Sequence, residues 1–211
     1  MLRLQEFVYN AFSENTYLII NDKNDCWIVD PGVSNSSETA ELTNYIGANN
    51  LNPQGIINTH AHIDHILGVQ AMIDRYGIPF GLHELDRPVL AAAKGSAMLF
   101  GLDLPKVPQP THYIKEGEPL MLGEDELEVR LAPGHSPGSI VFYSPNDGWL
   151  IGGDVLFAGS IGRTDLPGGN HETLLNSIRT QLFTLPDEVK VYPGHGPATT
   201  IGHEKATNPF F

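Results

Sequence analysis

Two short apolar runs, residues 16–20 and 26–30, flank the polar spacer Asn21-Asp22-Lys23-Asn24-Asp25, an arrangement that predicts a β-hairpin. Asn35, with Glu38 three positions on, has the form of a capping box. Leu42, Tyr45 and Ile46 supply the apolar face of the helix that would follow. Residues 55–58 are a short strand candidate. From about Asp64, the positions Ile66, Val69, Gln70, Ile73 and Tyr76 keep a helical spacing, with Gly77 as its stop. Residues 84–111 combine helical stretches with Pro105, Pro108 and Pro110, and we read them as a helix followed by irregular chain covering part of a cleft. Strand patterns return at 127–131, 140–143, 149–151 and 189–192, with Pro145-Asn146-Asp147-Gly148 as a tight turn between the middle two. A last long helix is expected over 172–183, with Leu174, Leu175, Ile178 and Leu182 on one face. Thr199-Thr200 and Glu204 mark a further helix start.

Strands thus cluster in each half of the chain with helices between them. That pattern predicts an α/β protein of one domain, two sheets packed together with helices outside. The length of 211 residues and the 41% hydrophobic content allow a substantial core. A net charge of −13 argues against nucleic acid and anionic membrane as partners, because such binding rests on clustered Lys and Arg. Cys26, the sole cysteine, sits in an apolar run and is read as a buried, inert thiol. No apolar stretch nears the ~18 residues a membrane span needs, and the first ten residues lack a signal-peptide core. A cytoplasmic location is expected.

The chemistry is concentrated in residues 59–65, Thr-His-Ala-His-Ile-Asp-His. Imidazole suits borderline metals such as zinc and iron, and carboxylates complete or bridge their shells. Packed this closely, His60, His62, Asp64 and His65 would repel one another on protonation unless a cation sat among them. Three more residues of ligand type follow predicted strands, each wrapped by glycine or proline: His135 in Pro-Gly-His-Ser-Pro-Gly, Asp154 in Gly-Gly-Asp-Val, and His195 in Pro-Gly-His-Gly-Pro. Glycine lets the backbone approach closely, and proline stiffens the loop that aims the ligand.

The motifs THAHIDH, GHSPGS, GGDVLF, GRTDLPGG and YPGHGPATTIGHE resemble those of the metallo-β-lactamase superfamily, and more narrowly of the small bacterial glyoxalase II-like (hydroxyacylglutathione hydrolase-like) hydrolases. The resemblance implies a four-layer αβ/βα sandwich. Carried over by motif position, it implies one metal held by His60, His62 and His135 and a second by Asp64, His65 and His195, with Asp154 bridging. Asp64 and Asp154 would serve the catalytic centre, and a hydroxide shared by two divalent metal ions would be the nucleophile. Zinc is the expected ion, with iron or manganese as alternatives. The implied reaction is hydrolysis of a small-molecule thioester, S-lactoylglutathione first. The full-length glyoxalase II pattern adds a C-terminal helical domain that contacts glutathione. Residues 1–211 read instead as a single hydrolase domain without it.

Around this core, Asp30 in the Val-Asp-Pro-Gly turn is a candidate to orient a ligand histidine. Arg163 and Asp165 either brace the site, bind a substrate carboxylate or form a solvated pair. His83, His112, His171 and His203 match no ligand position and read as surface or capping residues. Met98 and Phe100 read as core packing first, with the lining of a substrate mouth as the alternative. The alternatives are a persulfide dioxygenase using one iron on His60, His135 and Asp154, and a lactonase or phosphodiesterase of the same superfamily.

Overall fold

Every residue of Glu14–Ile20 is buried, so this strand has no solvent face. In the computed structural model, which describes residues 1–211, Leu18 and Ile20 enter one hydrophobic cluster and Tyr17 and Ile19 another. Successive strand side chains point to opposite faces, so a sheet covered on both sides takes a continuous apolar run, here residues 17–20.

The first half of the chain builds one six-stranded sheet, in sequential order. Strands β1 (Arg3–Tyr9), β2 (Glu14–Ile20) and β3 (Asp25–Val29) pair antiparallel. Then β4 (Asn52–Ile57), β5 (Phe80–His83) and β6 (His112–Ile114) add in parallel. Parallel pairing requires crossovers, and these carry helices α1 (Ser36–Ala48), α2 (Ile63–Ile66), α3 (Val69–Tyr76) and α4 (Arg87–Leu99). The second half supplies β7 (Leu120–Leu122), β8 (Asp125–Leu131), β9 (Ile140–Ser144), β10 (Trp149–Gly153), β11 (Leu156–Phe157), β12 (Ser160–Ile161), β13 (Lys190–Pro193) and β14 (Thr199–Thr200). All but the small β11-β12 hairpin join in the order β14-β13-β10-β9-β8-β7. Helices α5 (His171–Ser177) and α6 (Ile201–Thr207) lie in this half.

Three buried clusters separate four layers. The first joins Leu18 and Ile28 of the first sheet to Leu42, Met72 and Leu90 of its helices. The second joins the two sheets, where Tyr17, Trp27 and Ile57 share a core with Leu127, Phe142 and Ile151. The third joins Val141 and Val191 to Leu174, Ile178 and Ile201. The layers run helix, sheet, sheet, helix, the four-layer αβ/βα sandwich that the resemblance implies.

Local departures from the sequence reading have visible causes. The helix expected from Asp64 is two helices, because Gly68 lies against the Pro31–Val33 backbone and its N–H bonds the Pro31 carbonyl at 2.8 Å. Gly77 ends α3 in the left-handed conformation, as expected. Asn35 caps α1 by accepting from the Glu38 N–H at 3.0 Å, but Glu38 turns its carboxylate to the Ser34 and Asn10 N–H groups, so the box is only half made. The helix expected over 172–183 is α-helical only to Ser177 and then widens into a π turn, Ile178–Leu182. Met98 and Phe100 are not core residues: they are 77% and 50% exposed at the end of α4.

Gly134 shows how tightly the loops are set. It has φ +130°, and a Cβ there would collide with the Leu174 backbone of α5. Gly134→Ala should therefore lower the unfolding free energy by about 2–4 kcal/mol. Denaturant titration checks this, and a loss below about 0.5 kcal/mol would mean that the loop yields.

Candidate metal centre

Parallel β3 and β4 end side by side, and so do parallel β10 and β13. Asp30 follows β3, His60 and His62 follow β4, and Asp64 and His65 lie on α2. From the other sheet, His135 comes from the β8–β9 loop, Asp154 follows β10 and His195 follows β13. The two sheet ends are tied directly: the Ile140 N–H bonds the Thr59 carbonyl (2.9 Å), the Asn15 N–H bonds Gly194 (2.7 Å) and the Tyr17 hydroxyl bonds Pro193 (2.7 Å). All seven residues of the expected ligand set thus meet at one edge of the sandwich.

The hydrogen-bond network assigns the histidine tautomers. His135 Nδ1 faces the Arg163 carbonyl at 2.8 Å and His195 Nδ1 faces the Phe12 carbonyl at 3.0 Å, so both nitrogens must donate. His65 Nδ1 donates to Asp30 Oδ2 at 3.0 Å. The Thr59 hydroxyl gives its proton to Asp30 at 2.5 Å, so it accepts from His60 Nδ1 at 3.1 Å. In all four rings, Nδ1 holds a proton and Nε2 is the nitrogen turned toward the centre, bare in the neutral ring. His60 Nε2 and His135 Nε2 point at each other across 3.2 Å, with His62 Nδ1 2.7 Å from the latter. His65 Nε2 faces Asp154 Oδ1 at 3.4 Å, and neither atom has a hydrogen-bond partner. His195 Nε2 lies 3.1 Å from Asp64 Oδ2. Acceptors therefore point at acceptors in a buried space, and only positive charge resolves that.

Ionisation follows the same pattern. Burial pushes His62 down to about 4, and it holds His60 well below the ordinary imidazole range with the charge of His65 adding to the effect. Burial opposes a charge on His65 too, but Asp64 and Asp154 outweigh it and raise His65 well above that range. Burial alone would raise the Asp154 carboxyl, yet His65 and its neighbours hold it well below the carboxylate range. The centre thus keeps its carboxylates ionised and attracts positive charge.

Two donor trios could each hold a metal ion: His60, His62 and His135, and Asp64, His65 and His195. A third grouping, Asp30 with His60 and His65, overlaps them. Asp30 is already engaged there, accepting from the Thr59 N–H (2.7 Å), the Thr59 hydroxyl and His65 Nδ1. Its hydrogen bonds place it directly behind His65 and, through Thr59, behind His60.

Residues 9–195 match the metallo-beta-lactamase superfamily. The chain belongs to that superfamily. It is 43% identical to a probable metallo-hydrolase, YqgX, of Bacillus subtilis, over 93% of this chain and 91% of that protein. It is 38% identical to hydroxyacylglutathione hydrolase GloC of Haemophilus influenzae, over 95% and 93% of the two chains. The crystal structure of TTHA1623 in a di-iron-bound form superposes with a TM-score of 0.88 at 38% identity, covering 98% of this chain and 100% of that one. Superfamily fold and donor cluster agree on divalent metal as the cofactor class.

Within this metallo-beta-lactamase fold, the structure also brings in residues the sequence reading missed. Asp86, fully buried at the start of α4, accepts from the Ala61 N–H (2.7 Å) between His60 and His62, and from the Gly138 N–H (2.7 Å) just after His135. It ties the two ligand loops together. Its only sequence signal is an aspartate ahead of Arg87-Pro88 at a helix start. Glu14, also fully buried, lies 3.8 Å behind His65 Nδ1, and burial raises its carboxyl well above the usual range. Arg163 enters the site through its backbone carbonyl, while its guanidinium pairs with Asp165 at 2.7 and 2.8 Å in solvent. Of the other four histidines, none joins a donor trio, and His83 is buried rather than on the surface, bonded to Glu116 at 3.1 Å and capping Leu85.

Asp86→Ala should orphan two buried N–H groups and cost about 3–5 kcal/mol of stability, together with lower metal occupancy at equal metal concentration. Calorimetry and elemental analysis read the two effects. Unchanged metal affinity in a folded variant would remove Asp86 from the positioning of the loops.

Proposed function

We propose that the chain is a metal-dependent thioester hydrolase, with S-lactoylglutathione-like esters as the first substrates to consider. One divalent ion would be held by His60, His62 and His135 and a second by Asp64, His65 and His195. Asp154 lies between them, with Oδ1 3.4 Å from His65 Nε2 and Oδ2 3.4 and 3.5 Å from His135 and His195. The observation that carries the reading is the convergence of His65, His135 and His195 Nε2 on ionised Asp154 at the floor of an open cleft of about 700 Å³. A closed structural site would have no such opening.

Bound divalent metals supply Lewis-acid polarisation of a carbonyl and bring the pKa of a water toward ~7. The chain's residues do the rest. Asp64, its carboxyl held low by His65 and His195 against the effect of burial, stays ionised at the cleft. With Asp154 ionised too, neither carboxyl is protonated and ready to serve a poor leaving group. A thiolate needs no such help, since thiols ionise near pH 8.5, and this favours thioesters over amides and phosphodiesters. The relative named hydroxyacylglutathione hydrolase supports the same substrate class. Zinc fits the mixed donor set, and the di-iron neighbour supports iron as the alternative. A single-iron dioxygenase would use three of these donors, and the equally convergent second trio argues for two ions. A cytoplasmic location is our reading of a chain whose one cysteine is a free, buried thiol; no helix is long and apolar enough to cross a membrane.

Metal-assayed protein should hydrolyse S-lactoylglutathione in a chelator-sensitive reaction, with two metals per chain. Asp154→Ala should bind one ion or none and lose about a thousandfold or more in kcat/KM. Exposed His171→Ala should change neither. Full occupancy and activity in the Asp154 variant would end the bridging assignment, and O₂ uptake with glutathione persulfide on a single iron would replace hydrolysis by oxidation.

A further inference from the structure

The cleft over the metal centre discriminates between kinds of thioester, an inference that rests on the thioesterase reading. One wall is α4 and its end, with Val89, Ala92 and Phe100 facing the opening; the other holds Phe157, Leu166 and Pro167. Phe12, from the β1–β2 turn, stacks edge-on against Phe100 with ring centres 5.3 Å apart and closes one end. Small side chains at Ala92, Ala93 and Ser96 leave room between these walls. Leu99 and Phe100, 86% and 50% exposed, form an apolar rim at the mouth. Large apolar groups left in water at the edge of a concave site mark a surface that an apolar ligand covers.

The charges tell the other half. Among the lining residues the only Lys or Arg is Arg163, and both of its paired nitrogens are spent on Asp165. The remaining charged lining groups are Asp64 and Asp154. Glutathione carries two carboxylates and one ammonium. Away from the metal centre its carboxylates would enter a protein of net charge −13 and find no Lys and only the already paired Arg163 in the cleft, and a desolvated carboxylate without a partner binds poorly.

We propose that the preferred substrate is an uncharged thioester bearing an apolar chain, which lies between the α4 wall and the 157–167 wall while its carbonyl sits at the metal centre. Hydrolysis is balanced without a further reagent: water adds its oxygen to the carbonyl carbon, the C–S bond breaks, and the sulfur takes the electron pair and then a proton.

The test uses metal-loaded protein and two series of neutral thioesters. One varies the acyl group on N-acetylcysteamine from acetyl through butanoyl to hexanoyl; the other varies the thiol of thioacetates from methyl to hexyl. In at least one series kcat/KM should rise about fourfold per methylene, and its hexyl-length member should exceed S-lactoylglutathione. Which series rises tells which half of the substrate lies in the cleft. Ketone analogues with CH₂ for sulfur should show the same length dependence in calorimetric binding, where no turnover is involved. Ala92 is exposed on a helix, so Ala92→Glu should fold, and it should collapse the long-to-short ratio. Flat series, or a ratio unmoved by Ala92→Glu, would overturn the proposal while hydrolysis of S-lactoylglutathione left the thioesterase reading standing. Protein with two metals that cleaves none of these esters would end both.

Discussion

Asp30 is a buried carboxylate in a left-handed backbone conformation, φ +48°, and the order of the whole centre runs through its two oxygens. Oδ1 takes the Thr59 N–H, while Oδ2 takes the Thr59 hydroxyl and His65 Nδ1. Because Thr59 has spent its only hydroxyl proton there, it must accept from His60. One aspartate therefore sets the tautomer of two rings, one directly and one through a threonine. The strand pairing makes this possible, since β3 and β4 run parallel and end together, with Asp30 N–H bonded to the Ile57 carbonyl at 3.3 Å. Aspartate tolerates the left-handed region better than most residues, and the three accepted bonds offset its cost.

The consequence is electrostatic. A protein that points four imidazole Nε2 atoms and a buried carboxylate at one another has placed acceptors together at a desolvation cost that only a cation returns. Such a centre cannot hold its own geometry, so the geometry must come from elsewhere. It comes from the inter-sheet core of Tyr17, Trp27, Phe142 and Ile151, from the backbone ties between the sheet ends, and from Asp86 spanning two loops. Metal binding then adds to folding free energy by mass action rather than creating the fold.

The sequence carried most of this. Continuous apolar runs located the buried strands, and glycine- and proline-wrapped His135, Asp154 and His195 located the loops at strand ends. It was blind where the signal is three-dimensional. Strand β1 is an edge with only two of its seven residues buried, so it lacks an apolar run, and β5 is only four residues long. Gly68 broke a helix through contact with Pro31 and Val33, 35 or more positions away, which no local periodicity records. Asp86 and Glu14 act from opposite ends of the first sheet on rings they are nowhere near in sequence. For Met98 and Phe100 the core was ranked above a substrate mouth because apolar character alone does not tell a buried face from an exposed one; both are exposed, and Phe100 lines the cleft.

That ambiguity has a physical root in α4. Leu90, Ala93 and Ala97 pack into the core beneath the first sheet, while Val89, Ala92 and Ser96 line the cleft. A helix with one apolar stripe would present charge to the opening; this one presents alanine, valine and, at its end, phenylalanine. The donor residues themselves come from sheet ends, from α2 and from loops those sheets anchor, and none comes from α4. Substitutions on the outer stripe of α4 therefore change what the cleft accepts without moving an imidazole, whereas substitutions at Asp30, Thr59 or Asp86 disturb the donors whatever the ligand. Chemistry and selection rest on different elements of the fold, joined only where Asp86 begins the helix.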